Sequence, residues 1–141
     1  MRWFRYPEMY RSETAERLNI DNTPPEPEVR DNLIRLVNEL LDPIRDRWGG
    51  PIRVTSSFRC PALNKAVGGS RTSQHLKGQA ADLVPVNGDV RGLFLVIKKL
   101  RDEGKIEFGQ LILEYGGHKF PRWIHISLPT DRIKNQVRYI Y

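Results

Sequence analysis

From Val29 to Trp48 apolar residues return every three or four positions: Val29, Leu33, Leu36, Val37, Leu40, Leu41, Ile44 and Trp48. A helix turns once in 3.6 residues, so these side chains form one stripe, and the pattern predicts a long amphipathic helix. Pro43 predicts a kink within it, because proline removes a backbone donor and crowds the preceding turn. Gly49-Gly50 ends it. A second stripe of Val90, Leu93, Phe94, Ile97 and Leu100 predicts a helix within 87–105, capped by Asn87 or Asp89. Shorter helices are expected at 12–20, opened by Ser12, and at 61–69, closed by Gly68-Gly69. Between the first of these and the long helix, the prolines of "DNTPPEPE" hold an extended linker.

The remaining periodicity is that of strands. "PIRVTSSFR" (51–59) and "AADLVPV" (80–86) are two of them. "FGQLILEYGGHKFPRWIHISL" (108–128) has the pattern of a hairpin, two strands around a Gly-Gly turn, and "RIKNQVRYIY" (132–141) that of a basic terminal strand. Helices flanking a small, mostly antiparallel sheet define an α+β class. The 141 residues suit one domain, in which residues 1–26 form an N-terminal arm and linker.

Composition narrows the function classes. No apolar run approaches the roughly 18 residues of a membrane span, so none is expected. "MRWFRYPEMYRS" at the N-terminus lacks a signal-peptide apolar segment, so cytoplasmic synthesis without Sec-type export is expected. The lone cysteine, Cys60, excludes an internal disulfide and is expected to be a small semi-buried residue rather than a nucleophile. A net charge of +6 suits an anionic partner such as nucleic acid, a membrane surface or a cell-wall polymer, and equally a merely soluble basic surface. Basic residues interleave with tyrosines in "RIKNQVRYIY", but no nucleic-acid-binding motif accompanies them, so a nucleic-acid partner is not expected. The chain is expected to be a monomer.

Candidate chemistry lies on two segments. In "RWIHISL", Ile124, Ile126 and Leu128 share one strand face, while Trp123, His125 and Ser127 share the other. In "SQHLKGQAAD", His75 precedes Gly78, which permits a tight turn, and the chain then enters the strand carrying Ala80 and Asp82 on one face. Small residues at 80 and 81 let a backbone or substrate approach closely. Two imidazoles and one carboxylate suit Zn²⁺ and leave a fourth position for water. There is no HExxH and no paired CxxC, and by spacing alone His75 as a turn cap and Asp82 as a strand-end residue stay open.

"SQHLKGQAAD" resembles the SxHxxGxAxD signature of the zinc D-alanyl-D-alanine carboxypeptidases, whose fold is shared with the hedgehog signalling domain. "WIHIS" resembles that family's W-x-H strand. "VTSSFRCPALNKAVGGS" and "FGQLILEY" are similar to its other core segments, and "SETAERLNIDNTPPE" through "LLDPIR" to the arm of a phage and prophage subgroup. The resemblance implies one Zn²⁺ held by His75, Asp82 and His125. It implies that Arg59 pairs with the substrate's terminal carboxylate, as a bidentate guanidinium can, and that Ser73 hydrogen-bonds nearby. Many members carry an acidic base three residues before the last histidine, and here that position is Arg122. Glu114, on the same strand face as Gln110 and Ile112, is the alternative base, or else a solvated strand-end residue. His118 is expected to be an exposed loop residue.

The function so implied is hydrolysis of D-amino-acid-containing peptide bonds of peptidoglycan, as a carboxypeptidase or endopeptidase, at the cell wall after lysis or non-Sec delivery. The alternative is a non-catalytic zinc-containing module that binds cell wall or protein, which Arg122 favours.

Overall fold

A computed structural model describes residues 1–141. The long apolar stripe folds as α2 (Pro27–Leu36) and α3 (Asp42–Trp48), following a short α1 (Glu13–Arg17). Pro43 has no N–H to return to Glu39, and its ring would crowd that carbonyl in a regular helix. The chain widens just ahead of it. Val37–Leu41 forms a π turn in which the Asp42 N–H bonds to the Val37 carbonyl, five residues back. The expected kink thus takes the form of a π turn, and the stripe survives it: Leu33, Leu36, Val37, Leu40, Leu41 and Ile44 are all buried. Gly49 closes the helix in the left-handed conformation. Helix α4 (Pro61–Ala66) is capped by the Cys60 sulfur, and α5 (Val90–Asp102) by the Asp89 carboxylate, which accepts from the Gly92 N–H at 3.0 Å.

Five strands, β1 (Ile52–Ser56), β2 (Ala80–Pro85), β3 (Gln110–Glu114), β4 (Trp123–Ser127) and β5 (Gln136–Ile140), form one sheet in the order β1-β2-β4-β3-β5. The predicted β3–β4 pair is antiparallel as expected. The expectation of a mostly antiparallel sheet is corrected: the sheet is mixed, because β5 runs parallel to β3. The chain leaves β4, crosses the start of β3, where Asn135 and Gln136 N–H groups bond to the Phe108 and Gly109 carbonyls, and descends on the far side. A short connection that skips one strand returns the chain opposite to β4, and therefore parallel to β3. Strand β1 is also shorter than predicted. A register irregularity between Val54 and Ser56 loosens the ladder, and Ser57 to Arg59 leave the sheet.

One face of the sheet packs Ala81, Leu83, Leu111, Leu113, Ile124 and Ile126 into the core with the helical stripes. The N-terminal arm joins the same core through Phe4 and Met9. Its path is set by polar contacts. The buried Asp42 carboxylate accepts from the Arg2 and Trp3 N–H groups at 2.7 and 3.0 Å. The buried Asn22 amide donates to the Tyr10 and Phe58 carbonyls at 2.8 and 2.9 Å and accepts from the Cys60 N–H at 2.7 Å. Since Met9 is fully buried, Met9→Ala is expected to lower the unfolding free energy by about 2–5 kcal/mol. Urea denaturation checks this, and a loss well under 1 kcal/mol would mean the arm packs outside the core.

Candidate functional site

The opposite face of the sheet carries the polar groups. The ladder sets Asp82 directly beside His125, and His125 beside Ile112, so the carboxylate and one imidazole are cross-strand neighbours. His75 arrives from outside the sheet, on a 3₁₀ turn (Gln74–Lys77). Ser73 caps that turn by accepting from the His75 N–H at 3.2 Å. Gly78 ends it with φ +71°, and a Cβ there would lie 2.8 Å from the Val29 carbonyl oxygen. Both the backbone conformation and the closeness of α2 therefore demand glycine.

The geometry of His75 identifies its lone pair. Nδ1 lies 2.7 Å from the Ser57 carbonyl oxygen, and a carbonyl can only accept, so Nδ1 carries the proton. Nε2 points at Asp82 Oδ1, 3.4 Å away, and His125 Nδ1 lies 3.2 Å from the same oxygen. The imidazole centroids are 5.2 Å apart. One ligand atom from each of His75, Asp82 and His125 falls within 4.8 Å of the others. Burial disfavours the Asp82 carboxylate, but the hydrogen bonding and charge that protonated His125 and His75 offer outweigh it and hold its pKa well below the usual range. A neutral His75 turns an acceptor nitrogen toward an acceptor oxygen, an arrangement that needs a cation between them, whether proton or metal. Two nitrogens and one oxygen from a mostly buried pocket are a donor set that fits Zn²⁺. The proton that fixes the His75 tautomer is held by a backbone carbonyl, the usual outer partner of a ligating histidine.

The small residues at 80 and 81 divide their roles. Ala80 is on the site face, and the Ser57 hydroxyl donates to its carbonyl at 2.8 Å, so a neighbouring segment of this chain approaches closely there. Ala81 belongs to the core on the other face.

Arg59 follows β1 in the segment that has left the sheet. Its N–H donates to the His75 carbonyl at 3.1 Å, which fixes it relative to the imidazole. The half-buried guanidinium reaches only the Ser73 hydroxyl, at 3.4 Å, and its Nε has no partner. Burial lowers its pKa and the Asp82 charge opposes that shift. No carboxylate neutralises it, so it is a fork of donors in search of an anion.

Glu114 sits on the site face of β3, paired with Trp123 and diagonal to His125, a placement about 7–8 Å from it. It lies outside the His75, Asp82 and His125 group. Burial raises its pKa, as does the Asp82 charge, against His125, a hydrogen bond with Trp123, and Arg138. Arg138 stands on β5 opposite Ile112, and nothing in the sequence pattern marked it as a neighbour of the site. Ser57 and Asn22 also gave no signal, since the Ser57 carbonyl meets the His75 ring and the Asn22 amide meets the Phe58 carbonyl across long stretches of chain. His118 is exposed, as expected, but it lines a cleft of about 330 Å³ together with Thr55, Asp82, Val84, Gly116, Arg122 and Trp123.

A family model described as Peptidase M15 matches residues 2–127, leaving β5 outside the matched span. No curated protein matches the chain significantly. The donor set predicts one-to-one zinc binding by calorimetry. Asp82→Asn keeps the size of the side chain and removes its charge. It should weaken binding by more than the roughly 10–100-fold that follows loss of an outer partner. An affinity unchanged in that variant would remove Asp82 from the ligand set.

Proposed function

The chain belongs to the peptidase M15 family, and we propose that it is a zinc metallopeptidase that hydrolyses D-amino-acid-containing peptide bonds of peptidoglycan, with the hedgehog/DD-peptidase fold. The observation that carries this reading is the pairing of two features: three convergent ligand atoms, and beside them a half-buried arginine without a counter-ion. His75 Nε2, the Asp82 carboxylate and a ring nitrogen of His125 would hold the ion. Zn²⁺ bound there supplies Lewis acidity that activates water and polarises the scissile carbonyl.

The remaining work falls to side chains of the chain itself. Arg59 binds the C-terminal carboxylate of the peptide, held in place by its N–H bond to His75 and by Ser73. Glu114 takes a proton from the attacking water and delivers it to the leaving amine as the C–N bond breaks, so that acid and amine products balance. Its raised pKa suits a group that must accept and then return a proton. The Glu114–Trp123 cross-strand pair keeps the carboxylate on the His125 face of the hairpin.

A second reading, a non-catalytic zinc-containing module that binds cell wall or a protein partner, is favoured by one observation: Arg122 occupies the position where many relatives by resemblance carry an acid. Incubation of zinc-loaded protein with purified peptidoglycan, followed by mass analysis of released fragments, separates the two. Release of D-Ala or of cleaved cross-links supports the peptidase. Bound but intact wall supports the module.

Glu114→Gln is expected to lower kcat by about 10²–10⁴ while zinc stays bound. Because the Glu114 pKa is raised, its basic form appears only at higher pH than for a solvated glutamate. The kcat/KM of wild type should therefore climb through a limb above the ordinary glutamate pKa, and the variant should lack that limb. Near wild-type turnover in the variant would place the base elsewhere. Arg59→Ala is expected to retain zinc and to bind peptides with a free C-terminal carboxylate about tenfold or more weakly. Amidated peptides should be unaffected, and an equal loss for both forms would exclude the carboxylate contact.

A further inference from the structure

The cleft that Asp82 shares with Val84, Trp123 and the loop between β3 and β4 lies on the side of the ligand group away from Arg59. Arg59 stands beyond the Ser56 end of β1, next to the 3₁₀ turn. The cleft opens toward the other end of β2 and β4, where Val84, Trp123 and Arg122 lie. A peptide whose C-terminal carboxylate meets Arg59 and whose scissile bond meets the His75, Asp82 and His125 group finds this cleft in line for its N-terminal side.

Arg122 is the cationic group of fixed charge in that cleft. Its N–H donates to the Glu114 carbonyl at 2.7 Å, which anchors its backbone to β3. Its side chain is exposed and forms no ion pair, although the Asp82 carboxylate lines the same cleft. The remaining lining adds donors and a flat apolar surface rather than competing negative charge: the Thr55 hydroxyl, the His118 ring and the Trp123 indole. Gly116 has φ +58°, and a Cβ there would lie 2.9 Å from the Trp123 ring, so the loop that forms one wall of the cleft packs directly on that indole. Arg122 precedes His125 by three residues, about 10 Å of extended chain. A bound peptide spans that distance in about three residues.

Resting on the peptidase reading above, we propose that this cleft is the subsite for the N-terminal side of the scissile bond, and that Arg122 selects substrates bearing a carboxylate within three residues of that bond. Arg122 then does not replace the missing acid. It is a specificity residue, with the proton transfer left to Glu114. The site becomes a channel with a guanidinium at each end and the reacting bond between them. It would favour peptides that carry an upstream acidic group in addition to the C-terminal carboxylate.

The test uses zinc-loaded protein and pairs of peptides ending in D-Ala-D-Ala, with the scissile amide N-methylated so that binding is read without hydrolysis. Each pair differs only in a carboxylate or a carboxamide on the second residue before the scissile bond. Wild type is expected to bind the acidic member about tenfold or more tightly, as a charge-assisted hydrogen bond predicts. That preference should shrink as salt is raised, because the guanidinium is exposed. Arg122→Gln should bind both members equally with unchanged zinc content, and Arg122→Lys should keep part of the preference. Equal affinity of the two members in wild type, or a preference that survives in Arg122→Gln, overturns the assignment while leaving the peptidase reading intact. Failure of wild type to bind either peptide overturns both.

Discussion

Where β1 leaves the sheet, residues 57–60 bury irregular backbone, and the site depends on how those polar groups are satisfied. An orphaned buried donor or acceptor costs about 1–3 kcal/mol, so four residues without partners would be unaffordable in a domain of ordinary stability. Each finds one. The Ser57 hydroxyl donates to Ala80, and the Ser57 carbonyl accepts from His75. The Phe58 N–H donates to Met9, and the Phe58 carbonyl accepts from Asn22. The Arg59 N–H donates to the His75 carbonyl, and the Cys60 N–H to Asn22. These bonds join the arm, β2 and the 3₁₀ turn at one place. They explain why the arm cannot be a separate appendage, and why a histidine outside the sheet is held as firmly as one within it.

The same segment sets the electrostatics. By accepting the hydrogen bond of His75 Nδ1–H, the Ser57 carbonyl leaves Nε2 facing Asp82, and the carboxylate is kept ionised against the cost of its burial. A sheet supplies the other half of the site cheaply. Cross-strand pairing of Asp82 with His125 needs only the right register, which the apolar face enforces, since a slip of one residue would turn Leu83, Ile124 and Ile126 out of the core. Preorganisation here is a by-product of core packing on one face and of backbone satisfaction at the end of β1.

Charge around the site is unevenly compensated. Asp82 is surrounded by two imidazoles, and Glu114 has Trp123 and the field of Arg138, yet the guanidiniums of Arg59 and Arg122 form no ion pair. Both stand beside the ligand group, where an anionic ligand would complete them.

The sequence alone determined the helical stripes, the Ser12 cap and the division of "RWIHISL" into a core face and a site face, because each depends on neighbours within a turn or a pleat, whereas the choice of Asp89 over Asn87 as the α5 cap needed the fold. The types of His75, Asp82 and His125 suited zinc, but spacing alone left His75 open as a turn cap and Asp82 as a strand-end residue. Other features were settled only by the folded chain. Pro43 produced a π turn because its clash with Glu39 could be relieved by one extra residue, an option no pattern specifies. Strand β5 became parallel because its connection skips β3, a matter of where the chain crosses. The lone pair that His75 turns to the site is decided by a carbonyl eighteen positions earlier in the chain. Hydrogen-bond partners of that kind leave no periodic trace, since they bind backbone atoms that every residue possesses.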